Sequence, residues 1–507
     1  MPTFYITCAI DYPNANPHVG HAFEKIGADV VARLKRLQGY EVFFSTGVDE
    51  NSLNVERAAR NSGREPRDFV DEMSPHFRQL WDSLNVSYDK FIRTTEPEHL
   101  AASQEIFRRS YANGDIYKGK YEGWYCLSCE SYYLETDLVN GNCPVHERKP
   151  EWFSEENYFF ALSKYRDRLL EHFEQHPDFV IPDFRRNEVL SVINQGLKDF
   201  SISRATTTWG IPVPVDGSQV IYVWFDALIN YLTVVGFPGD EESFARWWPA
   251  DFHVIGKDIL RFHCIYWPAM LMSAGVELPK TVVGHGWVDL EGRAMSKTAG
   301  VFVDPAVVIA KYGVDPLRYY LLREIPFQRD GSFVWANLHA RYNRELGNDL
   351  GNLLNRTVSM IARYRDSNLP ASGQPEAPER ELRVAVEAAW EEVARGYESW
   401  AFSEALTALW RLVGAANKYV DATEPYKLGR DAASAKRLDT ILYTLAETLR
   451  HIALLAAPAI PATADRIMAQ LGLPAVHGAA WTAGSSWGGM IPETRIPGGE
   501  PLFPRID

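Results

Sequence analysis

The sequence predicts an α/β domain built on a parallel sheet, interrupted by an insertion and followed by an all-α bundle. Three observations carry that prediction. A strand, a helix and a second strand follow one another within the first 45 residues. Strand-like runs resume after a stretch rich in Cys, Trp, Tyr and Gly. Helical periodicity then takes over from about residue 337. A strand–helix–strand unit implies parallel pairing, because the crossover helix must return the chain to the same end of the sheet.

Phe4-Tyr5-Ile6-Thr7 reads as a buried strand, and a turn-rich stretch with Asp11, Pro13, Asn14, Asn16 and Pro17 follows it. The spacing predicts a helix from His18 to Gln38, with Phe23, Ile26, Val30, Leu34 and Leu37 three or four apart and Gly39 at its C-terminal stop. Glu41-Val42-Phe43-Phe44-Ser45 is the second strand. Val220-Ile221-Tyr222-Val223-Trp224 and Phe252-His253-Val254-Ile255 read as later strands of the same domain. Leu346, Leu350, Leu353, Val358 and Ile361 form one helical stripe, a Pro-rich connector spans Leu369 to Pro378, and helices continue to about residue 472. The Gly- and Pro-rich segment 483–507 reads as a tail packed across the surface.

At 507 residues, 46% of them apolar and 13% aromatic, the chain has material for several cores. A net charge of −14 argues against a polybasic coat for DNA, although an acidic protein still binds RNA where its cations gather on one face. No apolar run reaches membrane-spanning length and no leader precedes the first strand, so a cytoplasmic enzyme without a membrane partner is expected. Five cysteines, three of them clustered, point to metal ligation in a reducing compartment.

That cluster is Cys126-Leu127-Ser128-Cys129 followed by Cys143-Pro144-Val145-His146. Two short pairs joined by a hairpin-length spacer put four soft donors around one tetrahedral ion. This suits a single Zn²⁺ per chain at a closed, structural site held by Cys126, Cys129, Cys143 and His146. Cys8 and Cys264 read as small buried residues.

His18-Val19-Gly20-His21 stands where the first strand turns into the first helix. A helix N-terminus attracts phosphate, two histidines there can donate to it, and glycine permits close approach of a nucleotide. A helix start that merely contains two histidines is the bland alternative. Gly292-Arg293-Ala294-Met295-Ser296-Lys297-Thr298 is a polar loop whose lysine has the reach to contact ATP phosphates; alone it would mean no more than a surface loop.

Together the two segments resemble the HIGH and KMSKS signatures of class I aminoacyl-tRNA synthetases. The resemblance narrows to the methionyl-tRNA synthetase family at Ala9-Ile10-Asp11-Tyr12, at Tyr222-Val223-Trp224-Phe225-Asp226-Ala227, and at Ile255-Gly256-Lys257-Asp258-Ile259 with Phe262-His263 and Trp267-Pro268. It extends from residue 3 to about 430. It implies a Rossmann-like parallel-sheet catalytic domain with a zinc-knuckle insertion, followed by an all-α anticodon-binding helical bundle. The expected divisions are 1–115 and 216–285 for the catalytic halves, 116–215 for the insertion with its knuckle at 121–148, 286–345 for the lysine loop and stem-contact region, 346–475 for the bundle and 476–507 for the tail.

The resemblance also implies roles. His18, Gly20, His21, Gly256, Asp258, Ser296 and Lys297 would bind ATP, with His18, His21 and Lys297 catalytic and Mg²⁺ accompanying the nucleotide. Ala9, Ile10, Tyr12, Trp224, Ala227, Tyr231, Ile259, His263 and Trp267 would line a pocket for L-methionine. Asp49 would pair with its ammonium, oriented by Arg204. Asn352, Arg356 and Tyr426 would read the anticodon of tRNA(Met), with Arg318, Arg323, Arg341 and Arg344 supplying positive surface nearby. Without an appended C-terminal module, a monomer is expected.

Three departures stand against the family pattern. Ala294 replaces the first lysine of the loop signature, Asp49-Glu50-Asn51-Ser52 replaces an Asp-Glu-His-Gly run, and Tyr426 replaces a stacking tryptophan. They leave open a divergent paralogue that adenylates methionine without efficient charging, or a non-catalytic tRNA-binding relative. Class I enzymes for branched amino acids would need a larger insertion. A cysteine enzyme would carry its thiolates in the substrate pocket.

Overall fold

The computed structural model describes residues 1–126, 131–133, 135–144, 147–293, 295, 301–478 and 480–506. Its centre is a six-stranded sheet, all parallel, made of β1 (Thr3–Cys8), β2 (Glu41–Val48), β3 (Lys90–Arg93), β4 (Val180–Ile181), β5 (Phe252–Gly256) and β6 (Val282–His285), in the order β3-β2-β1-β5-β6-β4. The chain leaves β1 toward β2 on one side and returns at β5 on the other. A crevice therefore opens above the carboxyl ends of β1 and β5, the usual place for a ligand in such sheets.

Helix α1 (Val19–Leu37) crosses from β1 to β2, and Phe23, Ile26, Val30 and Leu34 are fully buried along it. Glu24, Lys25 and Asp29 on the same helix are buried as well, because the sheet covers one side and later helices the other. Helix α2 (Leu53–Asn61) follows β2, and α3 (Val223–Ala227) is a short turn of helix. The run 220–224 is thus only partly a strand. Asp216–Ile221 joins a small antiparallel sheet with Pro212–Val213 and Ser203–Arg204, and Val223 and Trp224 are helical. A short apolar run does not by its periodicity separate strand from buried helix.

The insertion is a four-stranded antiparallel sheet of Ser131–Tyr133, Ile116–Cys126, Glu151–Phe160 and Phe200–Ser201. Between its last two strands the chain dips back to add β4 to the edge of the main sheet. Beyond the catalytic sheet come α4 (Val314–Glu324), α5 (Asn352–Arg365), α6 (Ala377–Glu398), α7 (Phe402–Thr423), α8 (Ala435–Ala456) and α9 (Pro461–Gln470). Leu346, Leu350, Leu353, Val358 and Ile361 are buried among them. The tail crosses their surface: Gln470 donates to Glu500 O, Arg466 to Leu502 O and Tyr342 to Pro504 O.

Candidate functional site

The first turn of α1 forms the floor of the crevice. His18 caps the helix: its Nδ1 accepts from the Gly20 amide at 3.0 Å, and the Nδ1 of His21 accepts from the His18 amide at 3.1 Å. A backbone N–H only donates, so a neutral ring at either position carries its proton on Nε2, the nitrogen turned away from the helix. The two rings lie 3.9 Å apart, centroid to centroid. The rings are tilted by 42°, and a Cβ on Gly20 would stand 2.9 Å from His18 Cε1, so any larger residue here would push the His18 ring from its place. The Val19 amide donates to Val303 O at 3.1 Å, which ties the segment beyond the lysine loop onto this same turn.

Ser296 and Lys297, with Ala294, lie outside the described residues. The approach to the loop is a tight turn in which Leu290 and Arg293 exchange backbone hydrogen bonds across Glu291 and Gly292, both at positive φ (51° and 82°). Asp289 accepts from the Gly292 amide at 2.9 Å. Gly256 ends β5, and a Cβ there would meet Asp258 Oδ1 at 2.6 Å. Asp258 is exposed at the mouth of the crevice and accepts from Trp287 Nε1 at 3.1 Å.

Two buried charged residues here, Glu24 and Lys25, escaped the sequence reading. Lys25 reaches Asp11 Oδ2 at 2.7 Å, Glu24 Oε1 at 2.8 Å and Ala9 O at 3.0 Å. Glu24 also meets His285 Nε2 at 3.0 Å. Burial would raise the Glu24 carboxyl, but Lys25 and His285 outweigh it and hold it below the usual range. Burial would lower the Lys25 ammonium, and Asp11 and Glu24 instead raise it. In sequence, Glu-Lys on a helix reads as a solvated pair. Only the packing of α1 on both sides reveals it as the anchor that fixes Ala9 and Asp11.

Asp11 hydrogen-bonds alongside the end of β2: its amide donates to Gly47 O at 3.1 Å and its carbonyl accepts from the Asp49 amide at 2.9 Å. Asp49 is thus buried beside the Ile10–Tyr12 segment. Arg204 donates to Ser201 Oγ at 3.1 Å and Ser203 O at 2.7 Å and lies 4.1 Å over the Tyr222 ring. The two unusual residues after Glu50 have local partners. Asn51 donates to Thr94 O at 3.1 Å and to Asp226 Oδ2 at 2.9 Å, tying the end of β2 to α3. Ser52 caps α2 by accepting from the Val55 amide at 3.1 Å.

Around this floor runs a chain of rings. Tyr12 meets Trp224 edge-on at 6.4 Å, and Trp224 stacks on Phe262 at 3.9 Å and 8°. His263 follows, in a π-wound turn, a device that shifts side chains at functional sites. Its Nδ1 donates to Ile259 O at 3.0 Å, so its Nε2 accepts the Tyr231 hydroxyl at 2.8 Å. Burial holds the His263 ring at about 4, neutral at ordinary pH. Tyr231 packs edge-on against Trp267 at 6.2 Å, and Trp267 donates to His253 at 3.3 Å. Ala9 and Ala227 are buried, and Ile10 and Ile259 half-buried, at the same level of the sheet.

In the insertion, Cys126 and Cys143 are 2% and 1% exposed. Cys126 is paired with Ser131 on the neighbouring antiparallel strand, while the Cys143 carbonyl accepts from the Glu147 amide and its amide donates to Arg148 O, both at 2.9 Å. Cys129 and His146 lie outside the described residues. Two buried cysteines supply soft donors of the kind a tetrahedral Zn²⁺ site uses.

On the bundle, Asn352 and Arg356 share the exposed face of α5. Arg356 donates to Asn417 Oδ1 at 2.7 Å and stands 3.5 Å from Asp421. Tyr426 is 47% exposed, and its carbonyl accepts from Tyr364, whose ring packs where Gly429 leaves room. The arginines expected to add positive surface do otherwise. Arg318 is fully buried, Arg341 is engaged by Glu324 and Glu345, and Arg323 lies 3.6 Å from Glu345. Arg344 alone of the four is exposed.

Comparison with known proteins adds an independent line. The family model described as tRNA synthetases class I (M) matches residues 4–150 and 133–358, and that of the anticodon-binding domain of tRNA ligase matches 379–494. A methionine–tRNA ligase of Caldanaerobacter subterraneus is 48% identical over all of this chain and 79% of the relative. One of Thermosynechococcus vestitus is 46% identical over 93% of this chain and 90% of its own. Mycobacterium tuberculosis methionyl-tRNA synthetase in complex with methionyl-adenylate superposes with a TM-score of 0.96 at 43% identity, both chains covered completely. Its free form superposes at 0.88.

Proposed function

The chain belongs to the methionyl-tRNA synthetases of class I, and from that premise we propose how its own residues carry out the family's reaction. That reaction is the ligation of methionine to tRNA(Met) at the expense of ATP. The methionine carboxylate attacks the α-phosphorus of ATP and pyrophosphate leaves. The 3′-terminal ribose hydroxyl then attacks the activated carbonyl and AMP leaves. Such chemistry asks the protein mainly to position groups and to stabilise developing negative charge.

His18 and His21 present their Nε2–H groups to the phosphates at a helix N-terminus, and Gly20 lets the nucleotide approach. Ser296 and Lys297 bring a second set of donors to the transferring phosphorus. Mg²⁺ bound to the ATP would share the charge of the departing pyrophosphate. Gly256 and Asp258 hold the adenosine side, with Glu24 and His285 beneath it. The thioether chain lies among Tyr12, Trp224, Tyr231, Ile259, His263 and Trp267, a pocket of rings suited to a polarizable side chain. Ala9, Ile10 and Ala227 keep that pocket small, Asp49 takes the ammonium, and Arg204 buttresses the wall by stacking on Tyr222.

One observation carries this reading. The end of β1 leads both to the chain of rings and to the first turn of α1, which supports a reading in which the carboxylate of a bound amino acid would meet the α-phosphate of a bound nucleotide there. Zn²⁺ held by Cys126, Cys129, Cys143 and His146 would fix the insertion as a structural element. Asn352, Arg356 and Tyr426 would read the anticodon by edge hydrogen bonds and stacking. Among the described residues no helix is long and apolar enough to cross a membrane; we assign the enzyme to the cytoplasm, acting as a monomer. Charging assays with tRNA(Met) and an anticodon-substituted transcript, run with metal analysis, test these assignments together. Methionylation of the first alone and one zinc per chain support them; equal charging of both, or metal-free active protein, overturns the corresponding part.

A further inference from the structure

Arg318 sits on α4 with no exposed surface, and every donor of its guanidinium is directed at an oxygen. Nε bonds Ala459 O at 2.9 Å, one terminal nitrogen lies 3.2 Å from Leu84 O and 3.4 Å from Asn85 O, and the other bonds Asp29 Oδ2 at 2.7 Å and lies 3.3 Å from Pro458 O. These acceptors come from three separate pieces: α1, the loop before β3, and the turn between α8 and α9. Asp29 is equally committed, taking the Ser87 amide at 2.7 Å, the Ser87 hydroxyl at 2.6 Å and Arg33 Nε at 2.7 Å. Asp29 lies three turns along α1 from His18, about 16 Å at the helical rise. Helix α8 packs on α5 and α7, the helices that carry Arg356 and its partner Asn417.

We propose that Arg318 is a positioning residue that holds the anticodon-reading bundle in register with the phosphate-binding helix, so that occupancy of the anticodon face raises the rate of transfer at the far end of α1. The inference rests on the functional reading above. A dry fork with five donors admits one arrangement of its partners. Sliding of the bundle along α1 would break several bonds at once, so displacement is passed on rather than absorbed. A residue that merely stabilised the fold would not make one side of the enzyme responsive to the other.

The test uses Arg318→Lys, which keeps the charge and loses the fork, and Asp29→Asn, which keeps the shape and loses the charge. In the full-length enzyme, methionine-dependent ATP–pyrophosphate exchange without tRNA is expected to stay within about threefold of wild type. The kcat for charging tRNA(Met) falls by on the order of tenfold with little change in its KM. The kcat advantage of tRNA(Met) over an anticodon-substituted tRNA shrinks toward unity. A retained advantage, or exchange and charging falling in parallel, overturns the proposal. Should both variants fail to fold, the unmodified protein still decides: an isolated anticodon stem–loop is expected to slow amide exchange at 84–89, and protection confined to the bundle overturns the proposal. Inactive wild type would strike the functional reading instead, so the two failures are distinguishable.

Discussion

The amide of Val19 donates to the carbonyl of Val303 at 3.1 Å, which joins two segments of sequence almost three hundred residues apart. Val19 stands inside the histidine motif, and Val303 lies a short way beyond the lysine loop in sequence. Neither motif is informative alone. The bond sets the chain at Val303 against the turn that carries the two imidazoles, as one wall of the crevice.

Gly20→Ala tests that wall. The added methyl would press on the His18 ring at 2.9 Å. Alanine favours a helix, so global stability should change by less than about 1 kcal/mol. The KM for ATP should rise on the order of tenfold or more, because small displacements at a reacting centre are costly. Urea unfolding and exchange kinetics together check this; an unchanged KM would contradict the assigned role of the turn.

Lys25→Met tests the buried anchor. Removing the cation takes away the ammonium that Asp11 and Glu24 share, although Glu24 keeps His285. Breaking a buried pair in this way costs about 3–5 kcal/mol. Denaturant titration should show a loss of that size together with collapse of exchange activity. A loss below about 1 kcal/mol would show that Lys25 is not what fixes Asp11.

The pH dependence of methionine binding follows from His263. Burial depresses the folded ring to about 4, against a carbonyl bond and the nearby Glu24 that both favour the charged form. A depressed histidine is neutral when folded and takes its proton more readily when unfolded. Its contribution to stability is therefore complete above the unfolded value of about 6.5 and is lost as pH falls from there toward 4, about 3 kcal/mol in all. The KM for methionine should be flat from pH 8 to about 5.5 and rise only below about 5. A rise with its midpoint near 6.5 would place His263 in water rather than behind Tyr231.

Arg356→Ala should leave tRNA-independent exchange within about twofold and lower kcat/KM for tRNA(Met) by roughly ten- to a hundredfold, the scale of a lost base-reading contact. Parallel loss of both activities would show that Arg356 supports the fold through Asn417 instead.

Much of this was legible in the sequence because it is local. The apolar spacing of α1, the turn at Gly39 and the stripe from Leu346 to Ile361 each follow from residues close in the chain. That these rings would lie together was expected only through family resemblance, since Trp224 and Trp267 by themselves read as core. What stayed hidden depends on two surfaces closing on one element. Glu24, Lys25 and Asp29 look like the polar face of a helix until bundle and sheet cover both sides, and Arg318 looks like solubility until Asp29 meets it. Val223 and Trp224 were misassigned to a strand because five apolar residues fit either conformation. β4 has two residues, too few for any pattern.

The most direct measurement is pyrophosphate exchange into ATP by the purified, zinc-replete chain, with each of the twenty amino acids supplied in turn. Exchange with methionine alone, abolished by His21→Ala and severely reduced by Trp224→Ala, is the predicted result. Exchange with none of them, or equally with leucine or cysteine, would contradict the site described above.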